Sequence, residues 1–324
     1  MATTLNSNMV IYDQLMQTAY LERIQDVLEG FNANSAGAMV LRSEALEGNL
    51  TRDAFYELDA TVGHRNVNSA AAVSADRFGA NEMISVKTPW KFGPVESTEE
   101  SFKRRNRTPE EHFTLTGQQL ADHALRYQLR AAFAGLSAAI GGNSDMVAEA
   151  DFATFGKRVL TQGLRKMGDR FNRVAIWVMD SATYFDLVDQ AITDKIFEEA
   201  GLVVYGGQPG TMGKPVLVTD ESPEDVIFGL QPGAIEIVES QAPGILNERI
   251  GGLENIVIRS QAEGTFNVGL MGYSWGVENS TPAPVNPNVT QLGTAANWVK
   301  YAKSNKATAG FLIDTSAPTP TPSG

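Results

Sequence analysis

The chain has 324 residues, 43% of them hydrophobic and 20% charged, which is typical of a globular protein with two or three core-forming units. A formal net charge of −12 argues against a nucleic-acid-binding protein held by a basic face. The absence of cysteine excludes disulfides and thiolate zinc sites, and the wide spacing of His64, His112 and His123 argues against a histidine-rich metal site.

The N-terminal residues lack the basic and apolar segments of a signal peptide, and no apolar run reaches the ~18 residues of a transmembrane helix. We therefore expect a protein that stays in a cytoplasm or in a particle assembled there. Apolar residues recur at helical spacing from Tyr12 to Leu28, and a polar stretch follows from Phe31 to Gly48. We interpret residues 1–50 as an arm that buries its apolar stripe against a surface outside itself. The alternative is a helix packed on its own domain.

The next segment is long and weakly hydrophobic, and it predicts an extended hairpin that projects from the body. Two short β-prone pieces, Phe55–Leu58 and Met83–Lys87, flank a stretch of small residues between Arg52 and Phe113. Loops of this length are uncommon unless they have a function.

A switch of charge lies near the end of this segment, where basic residues stand between acidic ones. We consider two interpretations, a solvated loop whose charges compensate each other and a contact with opposite charges on a neighbouring chain. Nucleic-acid binding has less support, because acidic residues bracket the basic ones. The candidates for an inter-subunit contact are Glu99, Glu100, Lys103, Arg104, Arg105 and Arg107.

Residues Thr114–Ile140 predict one long helix, roughly 40 Å in length at 1.5 Å per residue. Thr116 followed by Gln119 has the spacing of a capping box, and the pair Gly141-Gly142 indicates a stop. Apolar residues form two stripes along this helix, so we expect it to be covered on two sides and to lie between layers.

The following hundred or so residues predict a second, α/β core. An amphipathic helix is expected over Asp151–Gly168, then a buried strand over Arg173–Met179, with Asp180 or Ser181 capping the next helix. Two pairs of short strands around Gly/Pro turns should follow, namely Val203–Tyr205 with Val216–Val218, and Val226–Phe228 with Ile235–Val238.

A β-arm is predicted over residues 244–278. One strand leads through Leu253–Arg259 to a turn at Ala262–Gly264, and the return strand Thr265–Glu278 is expected to lie against the long helix. Apolar packing should resume over Thr294–Tyr301, with a last strand at Phe311–Ile313 before a loose, linker-like tail.

No motif with catalytic chemistry emerges from the sequence. The stretch Gly206–Pro215 fails as a phosphate-binding loop because its spacing is too long, Pro215 replaces the hydroxyl residue and a strand follows. Asp180, Asp186 and Asp189 are better explained as a helix cap and a solvated face than as an acid–base pair. We therefore predict no catalytic, cofactor-binding or metal-binding residues.

The order of these parts resembles the major capsid proteins of tailed bacteriophages, in particular those of long-tailed siphophages, which have the Hong Kong 97-like fold. Short stretches carry the resemblance: Met179–Tyr184, Gly213–Asp220 followed by Val226–Ala234, and Ala295–Trp298. The resemblance covers most of the chain and depends on the order and spacing of these stretches.

The resemblance implies an α+β Hong Kong 97-like protein that assembles with itself into pentamers and hexamers, in an icosahedral virion shell around packaged double-stranded DNA. It also implies portal, scaffolding and decoration partners, assembly in a host bacterial cytoplasm, no enzyme activity and no membrane association. The implied regions are an N-terminal arm (1–50), an extended loop (51–113), a peripheral domain (114–144 and 244–280), an axial domain (145–243) and a C-terminal segment with a loose tail (281–324).

Three alternatives stay open on the sequence alone. An encapsulin-type compartment shell shares the fold and encloses cargo enzymes instead of DNA. An α+β enzyme would need a site assembled from distant residues, for example an acidic pocket. A tail-tube or adhesin protein would be rich in β-structure throughout, which does not explain the long helix.

Overall fold

The computed structural model describes residues 13–25, 32, 35–44, 46–58, 64–71, 78–105, 108–193, 198–199, 202–203, 213–252 and 254–316. These residues form helices and strands in which one long helix lies between two β-sheets. The helices are α1 (13–25), α2 (Glu99–Arg104), α3 (Pro109–Gly141), α4 (Phe152–Phe155), α5 (Val159–Met167), α6 (Ser181–Thr193) and α7 (Val289–Leu292).

The strands belong to two larger sheets and one short pair. In chain order they are β1 (Met39–Ser43), β2 (Leu50–Leu58), β3 (Phe78–Thr98), β4 (Val147–Glu149), β5 (Ile176–Met179), β6 (Glu198–Glu199), β7 (Leu202–Val203), β8 (Val216–Val218), β9 (Val226–Leu230), β10 (Ile235–Glu239), β11 (Gly244–Ile250), β12 (Val257–Leu270), β13 (Tyr273–Trp275), β14 (Trp298–Lys300) and β15 (Gly310–Asp314).

The long helix predicted from the sequence is α3, and it begins earlier than expected. Thr108 is its N-cap, because the Thr108 hydroxyl accepts a hydrogen bond from the Glu111 amide at 3.3 Å, and Pro109 occupies the first turn. The predicted capping box at Thr116 is wrong, since the Thr116 hydroxyl lies inside the helix and donates to the His112 carbonyl. The predicted end is confirmed, with Gly141 as the last residue and Gly142 as the cap. At 33 residues the helix is roughly 50 Å long.

The prediction that this helix is covered on two sides is confirmed by its ring contacts. Tyr127 packs edge-on against Phe266 of β12, with ring centroids 6.0 Å apart. Phe133 stacks on Phe228 of β9, in the other sheet, at 6.1 Å. The helix is therefore the shared core element of both sheets.

The first sheet is built around two long strands, β3 and β12, which pair antiparallel from Val86↔Val268 to Thr98↔Val257. On the far side of β12 lie β10 and β11, and β1 pairs in parallel with β10. Strands β13 and β14 extend the sheet beyond the end of β12, and their Trp275 and Trp298 rings lie 4.9 Å apart.

The predicted turn at Ala262–Gly264 is wrong, because β12 continues through these residues, with a shift of register against β3 between Ser260 and Ala262. Gly264 has a packing role instead. A Cβ atom there would lie 2.6 Å from the Trp90 indole, which crosses this position from the neighbouring strand β3. A glycine in a strand pattern can thus mark a close cross-strand contact and not a turn.

The second sheet has the order β4-β15-β9-β5-β8, and it confirms the predicted strands at Val226–Phe228 and Phe311–Ile313. Trp177 of β5 meets Phe311 of β15 edge-on at 5.7 Å in its core. The expected pairing of β9 with β10 is wrong, because the turn at Pro232-Gly233 carries the chain from the second sheet to the first. The predicted strand at Val203–Tyr205 lies largely outside the described residues.

Two helical predictions in this part of the chain have different outcomes. The single helix expected over Asp151–Gly168 is two helices, α4 and α5, because the backbone at Gly156 leaves the helical region (φ +50°). Asp180 does cap α6 as predicted, since its carboxylate accepts hydrogen bonds from the amides of Ala182 and Thr183 at 3.0 and 3.3 Å.

Helix α1 packs on its own subunit. Met16 and Tyr20 are fully buried, and the Arg23 guanidinium pairs with Asp122 of α3 at 2.9 Å. The Tyr20 hydroxyl donates to the Glu239 carboxylate of β10 at 2.6 Å. The expectation that this part of the N-terminal region needs an outside surface is therefore wrong for residues 13–25, and the alternative of a helix packed on its own domain holds there.

Candidate assembly surface

The β2–β3 hairpin reaches beyond the rest of the first sheet. Its strands pair from Leu50↔Val86 to Leu58↔Phe78, whereas the pairing of β3 with β12 begins only at Val86. The described residues of its loop, 64–71, are all exposed, and Val67 is 75% exposed. A two-stranded ribbon of this kind is marginally stable by itself in water, so a second surface would stabilise it.

An ion-pair cluster fixes the base of this hairpin to the segment that follows β13. The Arg52 guanidinium contacts the carboxylates of Glu82 at 3.0 Å and Glu278 at 3.1 Å. All three side chains are largely exposed, so the cluster orients the hairpin more than it stabilises the fold.

The predicted inter-subunit charges are only partly available to a neighbour. Glu99 pairs with Arg249 within the subunit, and Glu100 pairs with Arg104 one helical turn away at 3.2 Å. Arg105 is exposed and makes no ion pair within the described part of the chain. The side chain of Lys103 is not described, and Arg107 lies outside the described residues. The expected loop is wrong for residues 99–104, which form helix α2.

The histidine and acidic side chains that the structure describes form no metal-binding cluster. Among them, no group of three or more His, Asp or Glu side chains is arranged to hold a metal ion. His112 packs between Phe102 and Phe113, and burial lowers its pKa. Within the same part of the chain, no helix has both the length and the apolar character to span a bilayer. The Gly206–Pro215 stretch lies largely outside the described residues.

Comparison with known proteins places these surfaces in context. A family model described as Gp13-like, major capsid protein 13-like, matches residues 8–312. The chain belongs to this family of major capsid proteins. Comparison with curated proteins gives no match.

The solved structures that resemble this capsid protein agree with the family in fold. A structure from Microbacterium phage Oxtober96 is 10% identical, covers 71% of this chain and 83% of its own, and has a TM-score of 0.51. One from Mycobacterium phage Bobi is 11% identical, covers 85% and 88%, and has a TM-score of 0.50. At these identities the likeness establishes the fold alone.

The family and the fold together confirm the main predictions from the sequence. The resemblance to phage major capsid proteins and the α+β class are confirmed, and the Hong Kong 97-like assignment is consistent with this architecture. The protein is a structural component of a virion capsid that assembles with itself into the shell. None of these matches supports the compartment-shell alternative.

The sequence did not reveal the contacts that join distant parts of this capsid protein. Arg259 of β12 binds Glu96 of β3 at 2.6 Å and Glu248 of β11 at 3.3 Å, and the hydrogen bond with Glu96 raises the pKa of Arg259. Glu278, beyond the end of β13, pairs with Arg52 of β2 at 3.1 Å. No local pattern identifies such pairs, because their members are separated by up to 226 residues.

Proposed function

We propose that this capsid protein closes into pentamers and hexamers that tile an icosahedral shell around packaged double-stranded DNA. The observation that carries the proposal is the β2–β3 hairpin, whose described loop residues are all exposed. A subunit that extends a long ribbon away from its core needs a neighbour to cover it, and closed symmetric assembly supplies that neighbour.

The regions then take the roles that the resemblance implies. Residues 51–108 form the extended loop over an adjacent subunit, α3 with residues 235–280 forms the peripheral domain, and residues 145–233 form the axial domain at the five-fold and six-fold centres. Residues 13–25 do not belong to the N-terminal arm in this proposal, since α1 is docked on its own subunit.

The shell works by geometry in this proposal, without an enzyme activity or a cofactor. The net charge of −12 suits a container that encloses DNA without binding it tightly, since tight binding requires many cationic contacts with phosphates. Assembly takes place in the host cytoplasm, with a portal, a separate scaffolding protein and possible decoration proteins as partners.

Electron microscopy of the purified protein, expressed alone and with a scaffolding protein, tests this function. Closed shells, or capsomers with five-fold and six-fold outlines, are the expected result. A monodisperse monomer or dimer under both conditions would contradict it.

A further inference from the structure

An acidic groove lies on the side of the subunit remote from α2. The turn between β8 and β9 carries four carboxylates within six residues, Asp220, Glu221, Glu224 and Asp225. This turn packs beside α3 and α7, and together they line a groove of about 540 Å³. We call it the acidic groove, and its walls include Arg130, Ala134, Asp220, Glu221, Ser222 and Glu224.

Among the described residues, the walls of the acidic groove hold three carboxylates and one guanidinium, so the groove has an excess of negative charge. None of its carboxylates forms an ion pair with another described residue, and Asp220 has one recorded contact, a hydrogen bond accepted from the Ser181 amide at 3.3 Å. Arg130 lines the groove without an ion pair in the described part of the chain. A cluster of like charges is unfavourable unless a cation approaches it.

A second feature of the groove also indicates a missing partner. Ser222 is only 4% exposed, and its hydroxyl has no hydrogen-bond partner among the residues that the structure describes. A buried hydroxyl without a partner costs stability, and it can accept a hydrogen bond from a guanidinium that enters the groove. The described residues provide no group of three acidic or histidine side chains suited to a metal ion, so a cationic side chain fits better than a metal.

The same chain carries suitable cations at the C-terminal end of α2. Arg104 has a side chain that is 79% exposed, and within the described part of the chain its one ion pair is with Glu100, a weak surface contact that another carboxylate can replace. Arg105 is exposed and has no ion pair with any described residue. Guanidinium groups bind carboxylates in a fork geometry, which suits a groove with several acids.

These arginines cannot reach the acidic groove of their own subunit. They precede the first residue of α3, Pro109, whereas the groove lies beside Arg130 of the same helix. The 21 residues between these two positions span roughly 30 Å along the helix axis. A contact must therefore join two copies, and because the two surfaces differ it is a head-to-tail contact of the kind that closes rings.

We propose that Arg104 and Arg105 of one subunit bind in the acidic groove of the next subunit in the same capsomer. This proposal depends on the proposed function, since it requires capsomers. The sequence indicated these arginines as contact candidates, and the structure adds the acidic surface on which they would bind.

A charge-swap series tests the contact. The double substitutions Arg104→Glu with Arg105→Glu, and Glu221→Arg with Glu224→Arg, should each weaken association by about tenfold or more, because like charges then face each other. Combining all four should restore capsomers. The matched control Arg104→Lys with Arg105→Lys keeps both positive charges and loses only the fork geometry, so it should assemble better than the reversal and less well than the parent. Circular dichroism checks the fold and sedimentation measures assembly. Normal assembly of either reversal, or no recovery in the combination, would overturn the contact.

Cysteine cross-linking gives a second test that does not depend on whether the charge-reversed variants fold. The sequence contains no cysteine, so the introduced thiols are the only ones that can react. A chain with Arg105→Cys and Glu224→Cys should give a ladder beyond the dimer when its assembled particles are treated with a bis-maleimide about as long as an arginine side chain. A linker is needed because the Cα atoms of an arginine–carboxylate pair lie farther apart than a disulfide spans. The control pair, Arg105→Cys with Glu254→Cys, should give none. Intact particles without cross-links would overturn the contact alone. Failure of the unmodified protein to form capsomers would instead refute the proposed function, and the contact with it.

Discussion

Helix α1 and the β2–β3 hairpin both look like extensions of the body in the sequence, but only the hairpin extends. Helix α1 buries Met16 and Tyr20 completely against α3, β10 and β11, and three polar contacts hold it there. The hairpin ends in residues that are all exposed where the structure describes them. An apolar stripe therefore shows that a segment is buried, but it does not show which molecule buries it.

Of the changes considered, shortening the hairpin should have the largest effect on shell assembly, and it should leave the fold of the subunit intact. Replacing residues 55–81 with Asn-Gly, which favours a tight turn, keeps the pair Ala54↔Glu82 and the Arg52 cluster. We expect a folded subunit that forms no shells, as measured by electron microscopy and circular dichroism. The point variant Val67→Ser serves as a control for the loop surface. Shells of normal yield from the shortened protein would show that the hairpin is not an assembly element.

Truncating the buried stripe of α1 should have the opposite outcome. Met16→Ala removes a fully buried side chain, so we expect the free energy of unfolding of the dissociated subunit to fall by about 2–5 kcal/mol. Glu22→Ala, on the exposed face of the same helix, should change it by less than about 0.5 kcal/mol. Urea unfolding measures both. If Met16→Ala left the free energy of unfolding unchanged and abolished assembly, α1 would instead be an inter-subunit arm.

The smallest expected effect concerns the contact between α1 and β10. Burial raises the pKa of Glu239 above its ordinary value of 4.5, because the charged carboxylate is poorly solvated there. The protonated Glu239 side chain makes its full contribution to the free energy of unfolding below pH 4.5. This contribution is lost as the pH rises through the pKa that Glu239 has in the folded protein.

Glu239→Gln keeps an oxygen that accepts the Tyr20 hydroxyl and removes the buried charge. We expect the variant to unfold at a higher temperature than the parent near pH 7, with the difference disappearing near pH 4, in calorimetric scans at both pH values. The control Glu254→Gln, on an exposed turn, should unfold at the same temperature as the parent at both pH values. A difference for Glu239→Gln that does not change with pH would contradict the assignment.

The sequence was most informative where local chemistry decides the structure. The glycine pair after Ile140 ends α3, and Asp180 caps α6, because a backbone stop and a cap depend on neighbouring residues. The true start of α3 was also readable, since Thr108 followed by Pro109 and two acidic residues is a helix-start signature.

The errors arose where tertiary contacts override local signals. Gly264 looked like a turn residue and instead makes room for Trp90, whose strand is more than 150 residues away in the chain. The turn at Pro232-Gly233 looked like a hairpin and instead carries the chain between sheets. Glu96 lies 163 residues from Arg259 and Glu278 lies 226 residues from Arg52, so no local pattern marks these pairs.

Hydrogen exchange of the free subunit and of assembled shells tests the contrast between α1 and the hairpin most directly. We expect the amides of α1 to be protected in both states, and those of the two-stranded part of β2 and β3 to become protected only in shells. Equal protection of the hairpin in the free subunit, or protection of α1 only after assembly, would contradict the account.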